Sequence, residues 1–397
     1  MATPPLEARH RLSGLNSTFS GNLSVSGGRL SFADYVARNR EMLRRAHAGA
    51  ADLDKIIDGN APFELNPPPG FAPGQQKTYR RGVLLTHGLS DSPYTMRHLA
   101  EFFRHNGFRV MAILLPGHGT RPGDLLEVTW QEWAKAVAYG AYKLAEEVEE
   151  VYLAGYSTGA ALSVYHSLRD SRVRGLFLFS PALRITRWAA LAKLHKLYSW
   201  LLPSARWVDI KPDLDIYKYE SFTMNAAAQT HALTRVLARQ LGKQGIDIPV
   251  FVAASADDIT VKTEVILEFV ARARHPISKL VLYTTEPEKI PPGIPAERLE
   301  LVDSAVPGQR ILSSAHTAIV MPPEDPHYGA AGEYSNCVHY YPRDPEKYAA
   351  CLKHPGQDLQ GEVTERNLAA GILRRLTYNP NFAALKISLQ RFIDHLP

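Results

Sequence analysis

Residues 155–159 read Gly155-Tyr156-Ser157-Thr158-Gly159, with the apolar run Val151-Tyr152-Leu153-Ala154 before them and the helix-like Ala160-Ala161-Leu162-Ser163-Val164-Tyr165-His166 after. This is G-x-S-x-G in a strand, turn, helix setting. A serine on so sharp a turn projects its hydroxyl outward, and only glycines let strand and helix approach so closely. Ser157 is therefore the candidate nucleophile.

Outward from this turn, short apolar runs alternate with longer amphipathic ones. Val83–Thr86, Val110–Leu115, Val151–Ala154 and Gly175–Phe179 read as strands, and Tyr94–His105, Trp130–Val148 and Ser157–Leu168 as helices. Strands buried on both faces lose their polar alternation, and crossover helices supply the cover. The fold class is α/β, with a mostly parallel central sheet flanked by helices. Later strands are expected at 249–254, 279–283 and 309–313, and a last helix at Phe382–His395.

The stretch from Ser180 to Ile248 far exceeds the ~10–12 residues that a crossover with its helix needs. A helical cap is expected here, inserted after the sixth strand. Within it Trp188, Leu191, Leu194, Tyr198, Leu201 and Leu202 recur at helical spacing, either packed on the body or lining an acyl-chain pocket as a lid. Upstream, residues 1–30 read as an irregular arm. Ser31 caps a helix running through His47, with Asp34 as capping partner, and Pro67-Pro68-Pro69-Gly70 ends this leader. The expected organisation is an arm and leader helix over 1–75, a core over 76–184 and 246–397, and a cap over 185–245.

A serine hydroxyl is a poor nucleophile unless a base takes its proton, and that base needs an acid to orient it and hold its charge. After G-x-S-x-G these should follow in the order acid, then histidine, at the ends of later strands. The run Val250–Ala254 leads into Ser255-Ala256-Asp257-Asp258-Ile259, which makes Asp258 the first choice of acid and Asp257 the alternative. One of the two could instead cap the helix that starts near Val261. His316 follows the strand-like Ile311-Leu312-Ser313-Ser314-Ala315 and opens a loop, so it is the expected base, with His327 as the alternative. Two backbone N–H groups should face the oxyanion: those of Thr158, after the nucleophile, and of Leu89, in the turn Thr86-His87-Gly88-Leu89-Ser90. His87 precedes the serine and is expected to bond within its turn.

Leu85-Thr86-His87-Gly88-Leu89, then Leu115-Pro116-Gly117-His118-Gly119-Thr120 with Pro122-Gly123-Asp124-Leu125-Leu126 and Trp130-Gln131-Glu132-Trp133, then the serine turn, closely resemble the α/β-hydrolase fold in its bacterial carboxylesterase and monoacylglycerol-lipase branch. The resemblance covers residues 80–183 well and 249–320 more loosely. It implies Ser157 as nucleophile, Leu89 and Thr158 as oxyanion donors, an acid in the 257–258 loop, His316 as base, and a structural His118. Residues 1–75, the long interval from Asp258 to His316 and the tail around Asn336–Tyr341 depart from that branch.

The expected function is a serine carboxylic-ester hydrolase that works through an acyl-enzyme on small to medium acyl esters or monoacylglycerols, with no metal or organic cofactor. A thioesterase, lactonase or acyltransferase on the same triad is the alternative, as is an inactive hydrolase fold kept for binding.

A net charge of +5 from 45 basic and 40 acidic residues, with no basic run, argues against nucleic acid as a partner. Peripheral contact with an anionic membrane stays open. No stretch reaches the ~18 apolar residues of a spanning helix, and the start has no leader pattern, so the expected location is cytoplasmic. Cys337 and Cys351 lack zinc-site spacing and form either one bridge or two buried thiols.

Overall fold

The apolar runs on either side of the serine turn pair as parallel strands. A computed structural model describes residues 6–15, 30–71, 78–184, 203–353 and 358–397, and the expected cap helix Trp188–Leu202 lies outside the described residues. The chain divides into an amino-terminal unit, Ala2–Leu176 with Arg187–Leu237, and a carboxy-terminal unit, Phe177–Thr186 with Ala238–Pro397.

In the amino-terminal unit the leader helix α1 (Phe32–Ala46) starts where its cap predicts. The Ser31 hydroxyl accepts the Asp34 N–H at 3.0 Å and donates to the Asp34 carboxylate at 2.7 Å. The Tyr35 hydroxyl donates to the Leu114 carbonyl at 2.9 Å and accepts the Leu114 N–H at 3.1 Å, which ties the leader to the core. Between the leader helix and the core strands lie two elements that were not expected: helix α2 (Leu53–Asn60) and the short strand β1 (Phe63–Leu65). β1 runs antiparallel to β3 (Phe108–Ile113), and β3 and β4 (Val148–Tyr156) lie parallel on either side of β2 (Tyr79–Thr86). Every residue of β3 is buried, which is why its sequence shows no alternation.

Helices α3 (Arg97–His105), α4 (Trp130–Ala145) and α5 (Thr158–Ser167) fill the crossovers. α4 begins with a reciprocal cap: Thr129 Oγ1 accepts the Glu132 N–H at 3.4 Å, and the Glu132 carboxylate accepts the Thr129 N–H at 2.8 Å. The unit boundary falls inside β5 (Val173–Phe179), the strand from which the long insertion departs, so the insertion follows the fifth described strand and not the expected sixth. The described part of that insertion holds the antiparallel pair β6 (Trp207–Asp209) and β7 (Phe222–Thr223) and helix α6 (Met224–Leu241).

In the carboxy-terminal unit β8 (Val250–Ser255), β9 (Lys279–Thr284) and β10 (Leu299–Asp303) pair in parallel, with α7 (Thr263–Arg272) as the first crossover. The strand expected at 309–313 is not formed. Pro307–Gln309 make a single helical turn, Arg310 takes a left-handed φ of 56°, and only Ile311 bridges, to Val306 and Gln360. The sheet position is taken by Leu299–Asp303 instead. Beyond it lie α8 (Pro345–Lys353), the parallel pair β11 (Leu359–Gly361) and β12 (Leu373–Arg375) with α9 (Glu365–Ala369) between them, and α10 (Phe382–Asp394). Phe392 of α10 packs its ring 5.5 Å from those of Phe177 and Phe251. Cys337 and Cys351 are bridged. No helix among the described residues is long and apolar enough to cross a membrane.

Candidate active site

Ser157 stands between β4 and α5 with φ 54° and ψ −114°, a conformation that side chains rarely adopt and that surrounding structure must impose. The pairing of Thr86 with Gly155 brings the turns after β2 and β4 side by side. A Cβ at Gly159 would overlap the carbonyl oxygen of Thr86, so only glycine lets α5 lie this close to the β2 turn. Ser157 and Thr158, the first residue of α5, thus adjoin the turn that carries Leu89. That turn is held from the insertion: Lys218 Nζ meets the Asp91 carboxylate at 2.5 Å, and the Tyr219 N–H donates to the Ser90 carbonyl at 2.8 Å.

The two histidines of this unit's motifs are structural. His87 is fully buried, its Nδ1 is 2.8 Å from the Gly88 carbonyl, and its Nε2 accepts the Leu115 N–H at 3.0 Å. Burial, aided by His118, holds its pKa well below the ordinary value, so the ring is neutral with both nitrogens engaged. His118 donates from Nδ1 to the Pro116 carbonyl at 3.1 Å, and burial lowers its pKa to about 4. Trp133 Nε1 donates to the same carbonyl at 3.0 Å, which explains the tryptophan that follows the Gly-His-Gly turn.

In the carboxy-terminal unit Asp258 and His316 come together across 57 intervening residues. Asp258 Oδ2 lies 2.6 Å from His316 Nδ1, while its Oδ1 accepts the N–H groups of Thr260 at 2.7 Å and Val261 at 3.0 Å. Burial alone would raise the Asp258 pKa. The His316 charge and the hydrogen bonds from His316, Val261 and Thr260 outweigh it, so the carboxyl lies below its ordinary range. One carboxylate therefore does both jobs weighed from the sequence: one oxygen shapes the loop and the other holds the imidazole. Asp257 points elsewhere, accepting from Thr285 at 3.2 Å and Ser304 at 3.0 Å, and burial raises its pKa. His327 faces Glu333 at 3.5 Å and stacks on Tyr334, in a loop closed by the Asp325 carboxylate. Neither alternative makes the acid–base contact.

Sequence reasoning missed Glu362, whose side chain is fully buried and whose Oε2 accepts the His316 backbone N–H at 3.0 Å. Its position late in the chain, among residues with no motif, gave no signal.

The serine aminopeptidase S33 family model matches residues 77–285. Thermostable monoacylglycerol lipase from Bacillus sp. (strain H-257) is 32% identical over 109 residues, which are 28% of this chain and 44% of that protein. The chain thus spans less than half the length of this curated relative. Among solved structures, one from a study of LipS and LipT, two metagenome-derived lipolytic enzymes, is 22% identical with a TM-score of 0.47, covering 56% of this chain and 87% of its own. The monoacylglycerol lipase of Paleococcus ferrophilus is 18% identical with a TM-score of 0.44, covering 56% and 88%. With more than half of its 397 residues matched by the family model and a serine turn between β4 and α5, the chain belongs to the serine aminopeptidase S33 family, on the α/β-hydrolase fold.

Proposed function

We propose that the protein is a serine ester hydrolase in which Ser157 is the nucleophile, His316 the base, Asp258 the acid, and the Leu89 and Thr158 N–H groups the oxyanion donors. The observation that carries this reading is the 2.6 Å contact between Asp258 Oδ2 and His316 Nδ1, which leaves Nε2 as the nitrogen able to accept a proton. Nε2 takes the proton of Ser157 Oγ as the Oγ–C bond forms, the oxyanion rests on the two N–H groups, and the proton passes to the departing alcohol. Water, deprotonated by the same nitrogen, then releases the acid.

Small to medium acyl esters or monoacylglycerols are the proposed substrates, in line with the lipase that the chain partly matches. The proposed organisation is an arm and leader over 1–75, a catalytic core over 76–184 and 246–397, and a cap over 185–245. Contacts of Lys218 and Tyr219 with the Leu89 turn support a cap that reaches the site. A cytoplasmic location sits poorly with the Cys337–Cys351 bridge, since such bonds persist in oxidising compartments.

The test is a panel of p-nitrophenyl esters from acetate to palmitate, with matched thioesters, an added alcohol acceptor and aminoacyl p-nitroanilides. Ester hydrolysis is expected to exceed anilide and thioester cleavage. Anilide release without ester hydrolysis would replace this reading with the aminopeptidase that the family's name describes, and acyl transfer outrunning hydrolysis would make it an acyltransferase.

A further inference from the structure

The carboxylate of Glu362 is withdrawn from water yet has no part in the proposed chemistry. An isolated buried charge is costly, so such a group persists only where every lone pair has a partner. Its partners are specific. Oε1 accepts Arg375 Nε at 2.7 Å and the Val363 N–H at 2.9 Å, while Oε2 accepts Arg375 Nη2 at 3.0 Å and the His316 N–H at 3.0 Å. The same Arg375 Nη2 donates to Thr260 Oγ1 at 2.8 Å, and the Thr260 N–H binds Asp258 Oδ1. The pair therefore touches the loop of the base through a backbone N–H and the loop of the acid through a hydroxyl. It reaches both from behind, leaving the Asp258–His316 bond untouched.

The pair is itself fixed by the tail. Glu362 follows β11 and Arg375 ends β12, and the parallel register that pairs Gly361 with Arg375 brings Arg375 beside the residue next to Glu362. The Glu362 N–H donates to Ser313 Oγ at 3.1 Å, and the Arg375 N–H donates to the carbonyl of Asn336, next to the bridged Cys337. Glu362 and Arg375 themselves lie beyond the family-matched region 77–285.

We propose that Glu362 and Arg375 are positioning residues: an ion pair between a buried carboxylate and a partly buried guanidinium, supplied by the tail, that holds the His316 and Asp258 loops at a fixed separation. This inference rests on the reading of Asp258 and His316 as acid and base. A planar guanidinium bound through two nitrogens to one carboxylate fixes orientation as well as distance, which lysine cannot do.

The test compares Glu362→Gln, Arg375→Lys and the double variant Glu362→Gln/Arg375→Gln. The double variant leaves no unpaired buried charge, so it keeps the experiment informative if the single variants fold poorly. Steady-state kinetics on a p-nitrophenyl ester are normalised to competent sites by phosphonate titration. The downfield proton resonance of the Asp258–His316 hydrogen bond is followed by NMR in protein with labelled histidine. Expected are a fall in kcat of about 10- to 100-fold with KM changed less than about two-fold, the scale of a small misplacement of a catalytic group, and a broadened or shifted His316 resonance. Arg375→Lys, which keeps the charge without the two-nitrogen grip, should retain less than about a third of the wild-type kcat. A folded double variant with wild-type kcat per site and an unchanged resonance would overturn the proposal, as would loss of thermal stability alone. The resonance reports on His316 and Asp258 whatever attacks the ester, so failure of this inference is distinguishable from failure of the Ser157 assignment.

Discussion

Ser157→Ala is expected to lower kcat/KM for a p-nitrophenyl ester by about 10⁴- to 10⁶-fold while leaving the fold intact. The size follows from what is removed. Without Oγ no acyl-enzyme forms, and the donors Leu89 and Thr158 can only assist direct attack by water, which leaves a small residual rate. The fold should tolerate the change, because the left-handed turn is imposed by β4, α5 and the close approach of Gly159 to Thr86 rather than by the hydroxyl. Steady-state kinetics with circular dichroism and thermal unfolding check both halves. Activity within ten-fold of wild type would remove Ser157 from the mechanism.

Asp258→Asn should cost about 10⁴-fold in kcat, whereas Asp257→Asn should cost less than ten-fold. In the native site Oδ1 is committed to the Thr260 and Val261 N–H groups and Oδ2 to His316 Nδ1. An asparagine keeps its oxygen on the two loop N–H groups and turns its NH₂ towards the ring. Nδ1 must then accept, the proton moves to Nε2, and the base can no longer take a proton from the serine. The Asp257 carboxylate instead steadies Thr285 and Ser304, so its loss acts on stability. The two variants, assayed side by side from pH 5 to 9, separate the neighbours. Equal losses, or the larger one at Asp257, would reverse the assignment.

The sequence's legibility followed burial. β2, β3, β4, β8 and β9 were visible because strands covered on both faces read as unbroken apolar runs. Phe63-Glu64-Leu65 is too short to show a period, and Leu299–Asp303 carries charge on a partly exposed strand, so β1 and β10 read as loop. Ile311–Ala315 misled in the opposite sense: Ile311 and Ala315 are buried, yet Pro307 and the left-handed Arg310 bend the chain away from sheet geometry, leaving only the two isolated bridges of Ile311. His316 was nonetheless singled out, because its loop satisfies the chain order that the proposed chemistry demands, and it is the histidine that meets Asp258. Between Asp257 and Asp258 the sequence offered only a preference, since adjacent residues leave a strand in opposite directions and only the contacts tell which faces the imidazole. The contacts of Glu362 and Arg375 could not be foreseen: they depend on the packing of β11 against β12, two strands of three residues each.

In the proposed mechanism His316 makes Ser157 reactive. Its most direct test is labelling by a fluorophosphonate, with the site mapped by peptide mass spectrometry and the rate compared between wild type and His316→Ala. One adduct is expected, on Ser157, formed at least ~100-fold more slowly in the variant, the usual contribution of a positioned general base. An adduct on a different serine, or equal rates in the two proteins, would contradict it.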